Sequence, residues 1–114
     1  MKRVEAIIRP FELDEVKEAA TRAGALGVTV TEVKGLGGRG GRTERYRGTA
    51  VSVDSEPRIK VEVLVHRDLV ERVTHALAEA ARTGRIDGDG DVVVVPVEDA
   101  VRIRTGHRGV AAIA

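Results

Sequence analysis

Arg58-Ile59-Lys60-Val61-Glu62-Val63-Leu64-Val65 alternates without a slip. Ile59, Val61, Val63 and Val65 share one face and Arg58, Lys60 and Glu62 the other, which is the period of a strand with one buried side. Immediately downstream the period changes. Leu69, Val70, Val73, Ala76, Leu77, Ala80 and Ala81 recur at helical spacing, with Asp68 placed to cap the start and Gly84 the end. The run Val92-Val93-Val94-Val95, stopped by Pro96, then reads as a buried strand.

The same order is found upstream. Val4 to Arg9 is a short apolar-rich strand broken by Pro10. Leu13, Val16, Ala19, Ala20 and Ala23 keep helical spacing up to Gly24, and Val28 to Val33 is a β-branched alternating run. Two β-α-β units in series predict an α+β fold, a ferredoxin-like β-α-β-β-α-β sandwich with both helices on one face of an antiparallel sheet. The other face is left free, and an apolar free face would have to meet another copy. A short last strand is expected over Ala100 to Arg104, followed by a small-residue tail, so residues 100–114 close a single domain spanning 1–114.

Between the second and third strands, Gly35 to Gly48 holds six glycines and four arginines with almost no apolar side chain. Such a composition cannot nucleate a core, and a mobile loop of about residues 37–55 is expected. Long loops inside compact domains are usually functional. A second glycine-rich turn covers residues 83–91.

Composition narrows the function classes. The chain has 114 residues, a net charge of +1, no Cys, no Trp, one Phe and one Tyr. The balanced charge offers no field for nucleic acid or an anionic surface, and the aromatic-poor core favours oligomerisation. Charges at Lys2, Arg3, Glu5 and Arg9 leave no apolar leader, and no later run suits a membrane helix, so a cytoplasmic protein is expected.

No enzyme signature emerges. His66, His75 and His107 lack ligand spacing with one another, and Ser52 and Ser55 sit in no nucleophile elbow. Two glycine-rich stretches, Gly35-Leu36-Gly37-Gly38 and Asp87-Gly88-Asp89-Gly90, could instead let backbone N–H groups approach an anion. On a strand, Arg102 and Arg104 would share a face and present two guanidiniums to phosphate. Tight turns and a solvated strand edge are the plain alternatives for these features.

Five separated motifs carry a resemblance. Arg9 to Leu13, Thr29 to Gly37, Thr43 to Gly48, Thr83 to Ile86 and Val101 to Gly106 resemble, in order and spacing, the P-II nitrogen-regulatory signal-transduction family, over essentially the whole chain. The resemblance implies a homotrimer with an adenine nucleotide (ADP, AMP or ATP) in each cleft between subunits. It implies nucleotide contacts from Thr29, Gly35, Leu36, Gly37, Gly38, Leu64, Gly88, Asp89, Gly90, Asp91, Arg102 and Arg104. Residues 37–55 become the family's T-loop, with Arg42, Arg45, Tyr46, Arg47 and Thr49 meeting a transporter, channel or metabolic enzyme. No metal ligands of the protein's own are implied.

The chain also departs from the family. Val51 stands where many members carry a nucleotidylylated tyrosine, and Thr49 where another branch carries a phosphorylated serine. Arg39 replaces a glutamine, Arg58 a lysine, and Asp91 a cation. Arg39 offers only N–H donors, so the magnesium-dependent 2-oxoglutarate route of the family loses a ligand, while Arg39 and Arg58 could still attract an effector anion. Two other classes share the topology. An RNA-recognition module needs aromatics on its first and third strands, and a small ferredoxin-like enzyme needs an acid-base residue in a pocket, for which His66 is the best candidate.

Overall fold

The computed structural model describes residues 1–34, 43–46, 49–52, 56–82 and 90–113, and of 43–46 and 49–52 the backbone alone. Its centre is the alternating strand that contains Arg58 to Val65. That strand, β5 (Pro57–Val65), buries Ile59, Val61, Val63 and Val65. It pairs antiparallel with β1 (Lys2–Ile8) in the register Val4↔Val63, Ala6↔Val61 and Ile8↔Ile59. Because side chains alternate, this register stacks all the buried residues of both strands on one face.

Strand β2 (Thr29–Lys34) pairs with the outer edge of β5, and β6 (Val92–Pro96) with the outer edge of β1. The sheet order is therefore β2-β5-β1-β6, with every neighbouring pair antiparallel. β1 and β2 run parallel with β5 between them, the split β-α-β arrangement of the ferredoxin-like fold. The expected α+β architecture is the observed one.

Helices α1 (Leu13–Arg22) and α2 (Val70–Ala81) cover the apolar face through Val16, Ala19 and Ala20, and through Val73 and Leu77. Val4, Val16, Val61, Val63, Val73 and Leu77 are the largest fully buried side chains. The core is thus aliphatic, and Phe11 is largely exposed. α1 ends in a Schellman motif: Ala25 N–H donates to Ala20 at 3.0 Å and Gly24 N–H to Thr21 at 3.1 Å, with Gly24 at φ +111°, where a side chain would be strained. At the start of α1, the Glu12 carboxylate turns inward and accepts from the Arg9 amide at 3.1 Å, which fixes the Pro10–Glu12 turn.

Three local expectations are corrected. The cap before α2 is His66, not Asp68: the imidazole Nδ1 accepts from the Asp68 amide at 3.1 Å and opens a 3-10 turn, Arg67–Leu69, ahead of the helix. Within the glycine-rich loop, β3 (Thr43–Tyr46) and β4 (Thr49–Ser52) form a separate two-stranded sheet with Thr43 opposite Ser52 and Tyr46 opposite Thr49. A hairpin needs only local pairing and β-forming residues, so the lack of core residues did not preclude it. The last strand, expected over Ala100 to Arg104, is reduced to one bridge between Val101 and Arg108 around a turn, and a short helix α3 (Val110–Ile113) follows.

Candidate functional site

The sheet face opposite the helices is not apolar at its centre. By register, Arg3, Glu5 and Ile7 of β1 stand beside Leu64, Glu62 and Lys60 of β5. Lys60 Nζ lies 2.9 Å from Glu5 Oε2 and 3.2 Å from Glu62 Oε1, and Arg3 lies 3.6 Å from Glu5 Oε1. The Glu5 side chain is only 14% exposed, so its charge depends on these cations. The hydrogen bond from Lys60 holds the Glu5 carboxyl below the ordinary carboxylate range despite an opposing desolvation, and Glu5 raises the Lys60 ammonium in return. Ile7, Leu64 and Val93 are exposed hydrophobics on the same face.

The sign of the resulting pH dependence follows from linkage. A depressed Glu5 contributes stability above its unfolded pKa and loses it as pH falls through the folded value; a raised Lys60 contributes below its unfolded pKa and loses it above the folded value. Lys60→Met would leave Glu5 directly opposite Glu62 with no ammonium between them. It should therefore be less stable than the parent at pH 7 and approach it near pH 4, as read by urea unfolding at both pH values. A deficit unchanged by acidification would show that packing, not charge, is lost. Two carboxylates at the centre of this face, and no aromatic residue on β1 or β5, are also unsuited to stacking bases.

Two cavities lie at opposite ends of β1. The first, of 710 Å³, opens where β1 begins and β5 ends, and is lined by Arg3, Leu26, Thr29, Leu64, Asp99 and Arg102 among others. The second, of 240 Å³, lies where β1 ends and β6 begins, and includes Ile7, Glu12, Arg82, Gly90 and Asp91. At Gly90 the backbone passes so close to β1 that a Cβ would sit 3.3 Å from the Ile7 carbonyl oxygen. Arg3 and Ile7, one on each cavity, are four strand residues apart, about 13 Å.

The site residues named from sequence are accordingly divided. Thr29, Leu64 and Arg102 share the larger cavity, and Gly90 and Asp91 the smaller. Arg104 is exposed on the turn and does not line the larger cavity with Arg102, because the strand that would have aligned them is absent. Arg58 is engaged by Glu56 at 3.2 Å and donates to the Pro57 carbonyl at 3.1 Å. Arg45, Tyr46 and Thr49 belong to the β3-β4 hairpin. Gly35, Leu36, Gly37, Gly38, Arg39, Arg42, Arg47, Gly88 and Asp89 lie outside the described residues. Arg3, Leu26 and Asp99 were not anticipated; the Arg3↔Leu64 register is the signal that brings Arg3 to the site.

Among the described residues, no group of three or more His, Cys, Asp or Glu could hold a metal ion, and no helix is long and apolar enough to cross a membrane. The sequence model of the family described as "Nitrogen regulatory protein P-II" matches residues 1–107. The chain belongs to the P-II family. Nitrogen regulatory protein P-II of Azospirillum brasilense is 56% identical over 113 residues, which cover 99% of this chain and all of that protein. Its counterpart in Microchaete diplosiphon is 51% identical over the same share of each chain. Among solved structures, Arabidopsis thaliana PII bound to citrate aligns with a TM-score of 0.76 and 40% identity, covering 97% of this chain and 90% of that one. This P-II protein is thus a nitrogen-regulatory signal transducer of ferredoxin-like fold, and not an enzyme.

Proposed function

We propose that this P-II protein binds an adenine nucleotide (ADP, AMP or ATP) in each cleft between copies of itself, and reports the bound state to a partner through residues 37–55. The observation that carries this reading is the larger cavity, which apolar Leu26 and Leu64 line together with Thr29 and Arg102. An apolar wall for a base with a few polar groups at its rim is the usual make-up of a small-ligand site. Gly90, in the second half, carries no side chain to screen its main-chain N–H from an anion.

The separation of the two halves supports a site shared between copies. Residues at opposite ends of β1 can meet around one ligand only if the front of one copy faces the back of the next. In the ring of three that the family resemblance implies, that contact is head-to-tail and recurs at each junction. Partner control is assigned to Arg42, Arg45, Tyr46, Arg47 and Thr49, residue types suited to interface anchoring, and the partner to a transporter, channel or metabolic enzyme.

Asp91 places an anion in the half-site with Gly90, so repulsion grows with phosphate charge and ADP or AMP should bind at least as well as ATP. Magnesium-chelated 2-oxoglutarate is not expected, because Arg39 supplies no oxygen ligand and Arg58 is already paired with Glu56. Calorimetry with the three nucleotides, alongside light scattering, tests the reading. One nucleotide per chain on a particle of three chains is expected. A monomer, or a chain indifferent to all three nucleotides, would overturn it, and a strong preference for ATP would remove the role given to Asp91.

A further inference from the structure

Beyond β6 the chain makes a closed loop whose neck is one carboxylate. Asp99 Oδ1 accepts from the Ala100 amide at 2.8 Å and from the Gly109 amide at 3.2 Å, while Oδ2 accepts from the Arg108 guanidinium at 2.6 Å. The Gly109 amide is shared with the Ala100 carbonyl at 2.9 Å. Above the neck, Arg102 N–H donates to His107 at 2.8 Å and Gly106 N–H to Arg102 at 2.7 Å, around the bridge between Val101 and Arg108. Gly106 and Gly109 take φ of +76° and +66°, which lets the chain reverse within so few residues.

This closure shapes the larger cavity from two sides. It carries Arg102 to the cavity wall, and by returning the chain at Gly109 it sends α3 back so that Ile113 lines the same space. Arg108 takes no part in the lining. The hydrogen bond from Arg108, followed by that from Ala100, holds the Asp99 carboxyl below its ordinary range, as expected of a carboxylate that joins several donors.

We propose that Asp99 is a positioning residue for the nucleotide cleft: by clasping Ala100, Arg108 and Gly109 it closes the loop from 99 to 109 and holds Arg102 against the cavity. The inference rests on the nucleotide reading given above. Arg108 acts with Asp99 although it does not line the cavity, which separates positioning from direct contact. Asparagine at 99 keeps one acceptor for the two amides and loses the ionic partner, so its effect should fall between those of the parent and of alanine.

The test compares Asp99→Ala, Asp99→Asn and Arg108→Gln with the parent, by residue-level amide hydrogen exchange and by ADP calorimetry, with circular dichroism to establish folding. Asp99→Ala should lose protection at the Arg102, Gly106 and Gly109 amides and weaken ADP about tenfold, as for loss of charge-assisted hydrogen bonds. Asp99→Asn and Arg108→Gln should each weaken ADP by about threefold, and their combination by no more than either alone, since both remove the same pairing. Unchanged exchange in Asp99→Ala would overturn the clasp. Exchange that rises with ADP affinity intact, or full affinity in Arg108→Gln, would overturn the positioning role. A parent that binds no adenine nucleotide would overturn the nucleotide reading and the role of Asp99 within it, while the exchange data would still report separately on the closure.

Discussion

Leu77→Ala should lower the unfolding free energy by about 3 kcal/mol, the middle of the range for truncating a fully buried leucine. Leu77 is completely inaccessible on α2, which lies against β1 and β6. It belongs to a core of valines and alanines with Ile8 and Ile59, mostly short side chains that cannot swing into a void as a larger residue could. The one phenylalanine, Phe11, faces outward, so no aromatic ring stands ready to fill the gap. Set against a total stability of roughly 5–15 kcal/mol for a domain, such a loss is a large share. Urea unfolding of the parent, Leu77→Ala and Leu77→Met would measure it, with Met costing less than about 1.5 kcal/mol because volume is conserved. An alanine variant within 1 kcal/mol of the parent would mean that α2 collapses onto the sheet more freely than its packing suggests.

Arg102→Ala should weaken ADP about 30-fold, equivalent to about 2 kcal/mol for a charge-assisted hydrogen bond lost. Arg104→Ala should change it by less than about threefold, as for an exposed charge acting through solvent. Sequence alone treats the two arginines as equals. The turn separates them, leaving Arg102 on the cavity wall and Arg104 in solvent. Calorimetry on the two variants would decide the matter, and equal losses would show that the loop rearranges to deliver both guanidiniums when the nucleotide binds.

The sheet and its two covering helices were legible because burial imposes a period, and the period is written in residues such as Ile59, Val61, Val73 and Leu77. The C-terminal segment was misread for the same reason. Val101-Arg102-Ile103-Arg104 alternates like a strand, yet no described strand receives its backbone; the Arg102 main chain bonds instead to His107 and Gly106 within the loop itself. Alternation without a partner is only local appearance. The β3-β4 hairpin was hidden by the opposite fault, since glycines and arginines around it mask the β-forming stretches Thr43–Tyr46 and Thr49–Ser52. Of the larger cavity, Arg102 was legible from its spacing with Arg104, and Thr29 and Leu64 through the family resemblance. Arg3 could be found only through its register with Leu64, and Leu26, in the loop ahead of β2, carries no period to reveal it.

The placement of the two cavities at opposite ends of β1 also bears on genetics. In a head-to-tail ring each site draws one half from each of two neighbours, so a lesion at Arg102 and a lesion at Gly90 damage different contributors to it. If the ring of three proposed above forms, a cell expressing both defective alleles would assemble mixed rings. Around any such ring one junction pairs two sound halves, one pairs two damaged halves, and the third is half-sound. Alleles that are each null when alone would therefore complement in part, and either one expressed beside the normal gene would be partially dominant.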